Sequence, residues 1–486
     1  MTTRLLAVAL LTLASCSTEQ PAPPPNVLFI AVDDLRPQLG AYGHAQMVTP
    51  NLDRFATTGR LFERHYVQVP TCGASRYALL TGERPSSREH TSNDAIRNLL
   101  PKTEQEGPES FAHLFRRSGY RTVSIGKISH YVDGRIYSYE GEGEGEFEMP
   151  FSWDERLMPY EKWGTAWNSF FGYADGTNRN MERGAYPAYE SADVPDEAYP
   201  DGLIAQEAIA QLNELKDEPF LLAVGFFKPH LPFTAPTKYW DLYDHDQIEI
   251  SPNPDIPDGI NPDSLTNSGE MFGNYKHERN GGTGVRIADE DARMLRHAYY
   301  ASVSYADAQV GKVLDELDRL GLADNTVVVI WGDHGWHLGD QTIWGKHTTF
   351  ERSSRSALMM RAPGMASPGV STAGIVETLD LYPTLADYAG LQAPAGLTGL
   401  SLRPMLDDPA HPGKDSAFSY WRARHTMRTD RYRIVQHEEP GDGPEFELFD
   451  HQNDSNETRS VAAEQPEVVE SLRASLKAQS PRWAAR

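Results

Sequence analysis

Several stretches of the chain are continuously apolar and lack the alternation of a half-exposed strand. Residues 26–32 form the first, and residues 121–125, 220–227 and 326–331 repeat the pattern. A strand that is apolar at every position is typical of a parallel sheet that is covered on both faces. The four stretches therefore predict buried strands of one parallel-type sheet.

Helical patterns lie between these strands, over residues 49–55, 109–117, 200–215 and 289–320. Strands that alternate with helices indicate a layered α/β domain. Ligands of such domains bind beyond the carboxyl ends of the strands. The sequence therefore predicts an α/β fold with its functional site at those strand ends.

Two segments follow neither pattern and are predicted to be loops. Residues 140–146 alternate Glu and Gly, which predicts a solvated excursion. Residues 251–284 are rich in Pro, Asn, Asp and Gly, and are long for an unstructured connection in a compact domain. Loops of that length are often functional.

The C-terminal part of the chain changes character after a Pro-, Asp- and Gly-rich stretch at residues 407–414. Short β-like stretches then alternate with turns, at residues 417–421, 425–428, 432–437 and 445–449. A helical pattern over residues 466–477 follows them. This order predicts a small antiparallel sheet with one helix.

The first residues have the pattern of an export signal. Arg4 precedes an apolar stretch at residues 5–13, which is too short to span a bilayer. The sequence Leu-Ala-Ser before Cys16 resembles the bacterial lipoprotein signal, in which the cysteine is lipidated. We therefore predict a signal peptide at residues 1–15, lipidation of Cys16 and a Pro-rich tether at residues 16–25. An ordinary signal peptide is the alternative.

The predicted location follows from that signal. The protein is expected to be exported and anchored by lipid to the bacterial envelope, facing the periplasm or the cell surface. Ser17 favours the outer membrane, by resemblance to other bacterial lipoproteins. We expect no membrane contact apart from this anchor.

Net charge restricts the partners. The formal charge of −24 would repel a phosphate backbone, so nucleic-acid binding is not expected. An anionic small-molecule substrate would meet the same repulsion. It would need a local cluster of Lys, Arg and His.

Cys72 is one of two cysteines, and the other is the predicted lipidation site Cys16. A cysteine without an obvious partner in an exported protein is a reactive group, an intermolecular link or an inert core residue. Cys72 begins the sequence Cys-Gly-Ala-Ser-Arg, which ends at Arg76. If a helix starts here, the permanently charged guanidinium lies on the same face one turn later. This neighbour favours a reactive group.

Two of the predicted strands are followed by acidic residues. Asp33 and Asp34 follow the first strand, and Asp333 and His334 come just after the fourth. Neighbouring side chains on a strand point to opposite faces, so Asp33 and Asp34 converge only if the chain turns there. Buried like charges need a positive partner, for which a divalent cation is the simplest. The four side chains predict a metal site. Solvated surface carboxylates are the alternative.

These residues also carry a family resemblance. The sequence Cys-Gly-Ala-Ser-Arg at Cys72, followed by Leu-Leu-Thr-Gly at residues 79–82, resembles the motif of type I sulfatases, whose cysteine is oxidised to formylglycine. Three segments are most similar to the iduronate-2-sulfatase branch: residues 127–130, 228–233 and 332–336. The C-terminal sequence Phe-Glu-Leu-Phe-Asp at residues 446–450 resembles a recurrent sulfatase segment.

The resemblance implies an alkaline-phosphatase-like fold. Its main domain has a large mixed, mostly parallel sheet between helices, and a small C-terminal α+β subdomain carries an antiparallel sheet. We assign residues 26–410 to the catalytic domain and residues 411–486 to the subdomain. Two departures stand out: Ala74 replaces the commoner proline, which bears on maturation of Cys72, and residues 340–344 differ from the branch pattern, which leaves substrate contacts near Gln341 open.

The resemblance also implies an activity, the hydrolysis of sulfate monoesters. The substrate would be a sulfated carbohydrate, a 2-O-sulfated uronic acid residue of a polysaccharide or oligosaccharide. A hydroxyl of the hydrated formylglycine made from Cys72 would attack sulfur. A divalent cation, Ca²⁺ with Mg²⁺ as the second choice, would bind that residue together with Asp33, Asp34, Asp333 and His334. A formylglycine-generating enzyme or an anaerobic sulfatase-maturating enzyme would be the maturation partner.

The remaining site residues take roles by the same resemblance. Arg76 would hold the hydrate, and Lys127 and Lys346 would bind sulfate oxygens. His230, alone or with Lys346, would protonate the leaving oxygen and contact the substrate. His130 would take the proton of the second hydroxyl, which releases sulfate and restores the aldehyde. Further candidates for substrate contact are His65, His347 and Trp344.

Two other functions stay open at this point. A phosphate or phosphonate ester hydrolase of the same superfamily would generally bind two cations, and the sequence offers one convincing ligand set. A non-catalytic, surface-anchored glycan-binding lipoprotein would explain the anchor and the nine tryptophans. It would not explain Cys72, Arg76 or the acidic strand ends.

Overall fold

The computed structural model describes residues 24–100, 109–138, 143–277 and 281–479. The predicted signal peptide, Cys16 and residues 16–23 of the tether lie outside the described residues, so export and lipidation stay predictions. Within the described ranges, none of the helices combines the length and the apolar composition that crossing a bilayer requires.

The strands, in chain order, are β1 (Asn26–Val32), β2 (Arg60–Tyr66), β3 (Arg121–Gly126), β4 (Arg135–Tyr137), β5 (Gly143–Phe147), β6 (Glu155–Leu157), β7 (Tyr189–Ala192), β8 (Phe220–Phe226), β9 (Phe233–Pro236), β10 (Thr326–Gly332), β11 (His337–Leu338), β12 (Trp344–Gly345), β13 (Arg355–Ser356), β14 (Leu358–Arg361), β15 (Thr372–Glu377), β16 (Ser416–Trp421), β17 (Arg424–Thr429), β18 (Tyr432–His437) and β19 (Phe446–Asp450).

The helices are α1 (Pro50–Ala56), α2 (Cys72–Thr81), α3 (Ala95–Leu99), α4 (Phe111–Arg117), α5 (Ala166–Phe170), α6 (Pro200–Leu215), α7 (Thr237–Trp240), α8 (Gly269–Asn274), α9 (Asp289–Arg319), α10 (Glu351–Ser354), α11 (Leu381–Tyr388), α12 (Arg403–Asp407) and α13 (Pro466–Gln479).

The largest sheet in the described part of the chain has nine strands in the order β13-β2-β14-β10-β1-β8-β3-β6, with β15 also paired to β2. Strands β10, β1, β8, β3 and β6 run parallel to one another, whereas β14 and β13 pair antiparallel with their neighbours. The predicted buried strands are therefore the parallel centre of a mixed sheet.

The apolar residues of β1 divide between the two faces of the sheet. Leu28 and Ile30 pack into a core cluster with side chains of α6 and α9. Val27 and Phe29 pack into a second cluster with side chains of α2, α4 and α11. This is why β1 shows no polar alternation, because helices cover both of its faces.

The register of the parallel strands brings their carboxyl ends together. Val32 pairs with Gly332 of β10 and with Phe226 of β8, and Gly126 of β3 pairs with Gly225 of β8. The residues that follow these strands therefore share one edge of the sheet. The candidate residues at these strand ends are therefore brought together, and their role as the functional site stays a prediction.

The C-terminal residues form a separate antiparallel sheet in the order β16-β17-β18-β19. Helix α13 contributes Leu476 to a core cluster with Phe418 and Ile434 of this sheet. The sheet is attached to the main one at β16, where Tyr420 donates its backbone N–H to the Gln68 carbonyl at 2.8 Å. The predicted antiparallel sheet with one helix is correct. The domain boundary at residues 410–411 stays a prediction.

The structure corrects the first predicted loop and adds a short helix to the second, which is otherwise mostly irregular where it is described. Residues 143–147 form β5, which pairs antiparallel with β4, and residues 139–142 lie outside the described part. The segment at residues 251–284 contains the short helix α8. The two segments are ordered in different ways: β5 pairs with the neighbouring strand β4, whereas Glu270 of α8 contacts His230 and Lys346 from distant segments.

Candidate active site

Asp33 and Asp34 meet at the end of β1 because the chain turns there. The backbone of Asp34 has φ of 61°, in the left-handed region, so its side chain does not continue the alternation of the strand. Its backbone N–H donates to Asp333 Oδ1 at 2.9 Å. The condition for convergence, a turn at this junction, is met, and β1 and β10 present their acidic ends side by side.

Arg76 joins the two acidic strand ends. Its guanidinium is fully buried, 3.0 Å from Asp33 Oδ1 and 3.1 Å from Asp333 Oδ2. It also donates to the backbone carbonyls of Lys127 and Ile128. Breaking a buried pair of this kind leaves an uncompensated charge, which is strongly destabilising. Arg76 therefore orders the ends of β1, β3 and β10 around one point.

Cys72 is the first residue of α2, and its thiol faces this point. Cys72 Sγ lies 3.4 Å from His334 Nε2 and 3.4 Å from Lys346 Nζ. The start of the helix is held by Asn93, whose side-chain oxygen accepts from Gly73 N at 3.0 Å. Glycine is required at 73, since a Cβ there would lie 1.9 Å from the Asn93 carbonyl oxygen.

The Cys72 side chain is buried, and no disulfide partner lies within the described residues. Burial, together with the Asp33 carboxylate, raises the pKa of the Cys72 thiol well above its ordinary value. The thiol is therefore protonated at neutral pH, and a protonated thiol is a weak nucleophile. The unmodified cysteine is poorly suited to nucleophilic attack in this position.

Asp33, Asp34, Cys72 and His334 each offer a ligand atom, and these atoms all lie within 4.8 Å of one another. The fifth predicted ligand, Asp333, has its Oδ1 bound by the Asp34 N–H and its Oδ2 bound by Arg76. Carboxylate oxygens prefer Ca²⁺ or Mg²⁺, and a thiol does not. The set would fit a hard cation if residue 72 offered oxygen in place of sulfur.

Two buried lysines flank the carboxylates. Lys127 Nζ lies 2.5 Å from Asp33 Oδ2, and Lys346 Nζ lies 2.9 Å from Asp34 Oδ1. Burial opposes ionisation of Asp33, but Lys127 and Arg76 outweigh it and hold the pKa of Asp33 well below its usual value. Arg76 and the two lysines match the three aspartates in number, while burial raises the pKa of Asp34 well above its usual value and that of Asp333 to about 7. A bound divalent cation would then give the site the net positive charge that a sulfate group needs.

His230 and Glu270 form a buried pair beside Lys346. His230 Nδ1 lies 2.6 Å from the Leu231 carbonyl, which can only accept, so Nδ1 carries a proton. His230 Nε2 lies 3.0 Å from Glu270 Oε1, and Glu270 Oε2 lies 3.4 Å from Lys346 Nζ. A carboxylate also only accepts, so the Nε2 contact requires one further proton on His230 or on Glu270. Burial and the Lys346 charge oppose that proton and lower the pKa of His230 to about 4, whereas the Glu270 carboxylate favours it.

His130 is buried, and its ring nitrogens have no hydrogen-bond partner among the described residues. Its ring contacts those of Tyr131 and Trp167 at centroid distances of 5.1 Å and 5.7 Å. Burial, helped by the Lys127 charge, lowers the pKa of His130 well below its usual value. His130 is therefore a neutral imidazole with both nitrogens available.

Family comparisons agree with this arrangement. A family model described as sulfatase matches residues 25–391, and one described as N-sulphoglucosamine sulphohydrolase, C-terminal, matches residues 332–482. Iduronate 2-sulfatase of Mus musculus is 32% identical over 402 residues, which cover 76% of this chain and 69% of that protein. The chain belongs to the sulfatase family. It is a sulfuric ester hydrolase, and its similarity to iduronate 2-sulfatases is confirmed.

Another relative and two solved structures cover nearly the whole chain. A sulfatase of Formosa agariphila is 32% identical over 505 residues, covering 100% of this chain and 94% of the relative. A phosphonate monoester hydrolase of Agrobacterium radiobacter superposes with a TM-score of 0.75 at 22% identity, over 94% of this chain and 95% of that one. A protein solved with its substrate D-glucosamine-2-N,6-O-disulfate superposes with a TM-score of 0.72 at 20% identity, over 94% of this chain and 97% of that one. The fold is alkaline-phosphatase-like, as expected.

A cavity of about 860 Å³ approaches the site of this sulfatase through Glu270 and His347, and Cys72 and Lys346 are not among its lining residues. Glu270 and His347 line it from the main domain. Trp421 lines it from the C-terminal sheet, and its ring stacks on His347 at a centroid distance of 4.6 Å and an angle of 9°. His347 Nε2 lies 3.1 Å from Thr71 Oγ1, directly before Cys72. The predicted position of His347 near the substrate is therefore compatible with the structure.

Two predicted substrate contacts are wrong. His65 on β2 is fully buried, with Nε2 2.9 Å from Thr378 Oγ1 and Nδ1 3.3 Å from the Ser356 carbonyl. Trp344 is 1% exposed and packs in the core on one side of the main sheet. Gln341 is buried as well, and donates to the Asn456 carbonyl at 3.0 Å. These side chains stabilise the sulfatase fold and do not face the cavity.

Glu270 and Asn93 are site residues that sequence reasoning missed. Glu270 lies in the segment predicted to be a loop, and Asn93 precedes a helix of five residues. Neither follows a buried strand, the signal that identified the acidic residues, and neither lies in a segment that carries the family resemblance. The length of the segment at residues 251–284 was the one available indication for Glu270.

Proposed function

We propose that this sulfatase removes the O2 sulfate from a uronic acid residue of a sulfated polysaccharide or oligosaccharide. Similarity to iduronate 2-sulfatase supports the uronic acid. The cavity that approaches this site, which is lined by aromatic and charged side chains, supports a carbohydrate substrate. Aromatic faces and charged hydrogen-bonding groups together are suited to a sulfated sugar.

The observation that carries the proposal is the position of Cys72. It begins a buried helix, its sulfur lies 3.4 Å from Lys346 Nζ, and Arg76 one turn later binds Asp33 and Asp333. The high pKa of the thiol argues against the cysteine itself as nucleophile. Formylglycine at this position would supply a hydrated aldehyde. A hydroxyl of that hydrate would act as the nucleophile in place of the protonated thiol.

A divalent cation suits the same place. Asp33, Asp34 and His334 would hold it together with residue 72, and Asp333 would support them. Such an ion would lower the pKa of a hydroxyl beside it. The carboxylate-rich donor set favours Ca²⁺, and Mg²⁺ is the second choice.

The surrounding side chains would position the sulfate group and move its protons. Lys127 and Lys346 would neutralise the sulfate oxygens as the S–O bond breaks. His230, supplied with a proton by its contact with Glu270, would protonate the departing sugar oxygen. His130, a neutral imidazole without a partner among the described residues, would accept a proton from the hydroxyl that does not attack.

Phosphonate ester hydrolysis has weaker support. Outside the cluster at Cys72, the described residues contain one other group with metal-ligand geometry, formed by Glu351, His451 and Glu457. Arg433 binds both glutamates of that group, with its Nε 2.7 Å from Glu457 Oε1. That second group is an ion-pair network, so the part of the chain that the structure describes offers no second set of ligands near Cys72 for a two-cation site.

Peptide mass mapping and a substrate panel test the proposal. The protein is expressed with a formylglycine-generating enzyme and, separately, with an anaerobic sulfatase-maturating enzyme, because Ala74 leaves the choice open. We expect the peptide containing residue 72 to have the mass of the aldehyde. We also expect turnover of a disaccharide with a 2-O-sulfated uronic acid. We expect no turnover of the analogue that carries a phosphate in place of that sulfate.

Cys72→Ala is the matched variant. We expect it to fold and to lose turnover of every sulfate ester. Retained activity in this variant, or active enzyme in which residue 72 is an unmodified cysteine, would exclude the proposed nucleophile. Turnover of aryl sulfate alone would exclude the carbohydrate substrate and leave the chemistry intact.

A further inference from the structure

The hairpin between β16 and β17 brings one turn of the C-terminal sheet to the cavity. Trp421 pairs with Arg424, so Arg422 and Ala423 form a two-residue connection. Arg422 has φ of 53°, in the left-handed region. Tight hairpins prefer glycine or asparagine where φ is positive. An arginine therefore occupies a position for which the backbone favours a smaller residue, and its long side chain lines the cavity.

This turn is fixed to the site. The Trp421 ring stacks on His347, and His347 adjoins both Lys346 in sequence and Thr71 in space. The Arg422 guanidinium lies 5.5 Å from the centre of the Trp421 ring. A group bound by Arg422 would consequently be held at a defined position relative to Cys72.

Arg422 differs from the other two arginines of the cavity in its partners. Arg88 lies 3.0 Å from Glu439 Oε1. Arg424 donates to the Asp263 carbonyl. Within the described ranges, the Arg422 guanidinium has no carboxylate or carbonyl partner. In a chain of net charge −24, such a group is suited to bind an anion of the substrate.

We propose that Arg422, with the stacked Trp421 and His347, forms a subsite for a sulfate group on the sugar next to the one that is desulfated. The inference rests on the proposed function, and it makes the substrate an oligosaccharide with sulfate on adjacent residues. A guanidinium binds a sulfate or carboxylate group through two parallel hydrogen bonds. The aromatic stack beside it offers a wall for the second sugar ring.

The test compares two disaccharides that share a 2-O-sulfated uronic acid and differ only in a sulfate on the second sugar. A third disaccharide, with a carboxylate in place of that sulfate, separates the two anions. For the wild-type enzyme we expect kcat/KM to be roughly 10-fold higher for the disulfated compound, through KM. In Arg422→Gln this preference should disappear, and in Arg422→Lys it should be partly kept.

Arg431→Gln is the matched control, because Arg431 lies in the next hairpin connection of the same sheet, between β17 and β18, and does not line the cavity. We expect it to keep the wild-type preference. A wild-type enzyme without preference, or a preference that Arg422→Gln retains, would overturn the subsite. Equal preference for the carboxylate compound would overturn the sulfate assignment.

Failure of the subsite and failure of the proposed function are distinguishable. Turnover of 4-nitrophenyl sulfate without turnover of any disaccharide would remove the carbohydrate substrate, and the subsite with it. Turnover of all three disaccharides with equal kcat/KM would remove the subsite alone. Thermal unfolding of each variant identifies loss of folding. If Arg422→Gln does not fold, the preference of Arg422→Lys is compared with that of the wild-type enzyme instead.

Discussion

Glu270 places a carboxylate oxygen 3.0 Å from His230 Nε2, and its other oxygen lies 3.4 Å from Lys346 Nζ. One side chain of α8 thus joins the residue proposed to protonate the leaving group to a residue proposed to bind sulfate. Because His230 Nδ1 already donates to the Leu231 carbonyl, the contact with Glu270 favours a proton at Nε2, which burial and the Lys346 charge oppose.

Glu270→Gln should therefore slow hydrolysis more for substrates whose leaving group needs a proton than for those whose leaving group does not. The amide can donate to Nε2, so His230 no longer needs the extra proton that would pass to the leaving oxygen. We expect kcat for a sugar sulfate to fall by about 10- to 100-fold. The fall should be much smaller for 4-nitrophenyl sulfate, whose phenolate leaves without a proton. Steady-state kinetics with both substrates measures the difference.

Glu249→Gln serves as its control, because Glu249 is exposed in the segment before α8. It should leave both rates at the wild-type level. An equal loss on the sugar sulfate and the aryl sulfate in Glu270→Gln would mean that Glu270 only stabilises the fold. Mass mapping of residue 72 excludes incomplete maturation as the cause.

The parallel strands were the part of the fold that sequence could predict. The continuous apolar pattern of β1 results from packing on both faces, so it identifies the centre of the sheet without knowledge of its neighbours. The proximity of Asp33 and Asp333 follows from the parallel pairing of Val32 with Gly332. Local pattern and sheet geometry were sufficient there.

Contacts between distant segments could not be predicted in the same way. His65 and His347 were both candidates for substrate contact, yet one bonds to Thr378 in the core and the other stacks on Trp421 at the cavity. What separates them is the pairing of β2 with its neighbours and the docking of the C-terminal sheet. Glu270 was missed for the same reason, since its partners come from other segments.

A buried ion pair supports the loop that carries Asp34. Arg36 Nη1 lies 2.8 Å from Asp340 Oδ2 and donates to the Trp336 carbonyl at 3.0 Å, and both partners of the ion pair are buried. Arg36→Met would leave the buried Asp340 carboxylate with Arg352, Ser251 and the Leu338 backbone N–H as its remaining partners. We expect the free energy of unfolding to fall by about 3–5 kcal/mol, measured by urea denaturation.

The control for this variant is an exposed pair of the same kind. Arg54 and Asp315 are 2.5 Å apart, with side chains 53% and 59% exposed. Solvent screens such a pair, so Arg54→Met should cost less than about 1 kcal/mol. Similar losses in Arg36→Met and Arg54→Met would show that burial of the first pair has no energetic consequence.

Removal of divalent cations should affect both activity and stability. After dialysis against a chelator, we expect turnover of 4-nitrophenyl sulfate to fall to background and to return with Ca²⁺. An ion that binds only the folded protein stabilises it by about 2.7 kcal/mol at one hundred times its dissociation constant. Thermal unfolding should therefore shift upwards when Ca²⁺ is added, and Mg²⁺ should produce a smaller shift.

Asp34→Asn tests whether this shift comes from the proposed site. It should abolish the response to Ca²⁺, because Asp34 belongs to the cluster of ligand atoms around Cys72. Glu457→Gln, in the other group with ligand geometry, should keep it. A Ca²⁺ response that survives in Asp34→Asn would place the ion elsewhere.

Glu377 connects the main domain to the C-terminal sheet and predicts a pH dependence of stability. Its carboxylate accepts from Arg84 at 2.8 Å, from Lys414 at 2.7 Å and from Phe418 N at 3.0 Å. Burial opposes its ionisation, but Arg84 and Lys414 outweigh this and lower the pKa of Glu377 from 4.5 to about 2. The unfolded chain therefore binds this proton more readily than the folded one does.

A carboxyl with a depressed pKa contributes stability above its unfolded pKa and loses that contribution as pH falls towards its folded pKa. The contribution should be complete at pH 7, on the order of 3 kcal/mol, and should decline between pH 4.5 and pH 2. Glu377→Gln should thus be less stable than wild type at pH 7, and the difference in urea denaturation should shrink at pH 3.5. Glu249→Gln should show neither effect. If wild type and Glu377→Gln differed in stability by the same amount at every pH in this range, the protonated and ionised forms of Glu377 would stabilise the fold equally. The Arg84 and Lys414 charges would then not hold the C-terminal sheet in place.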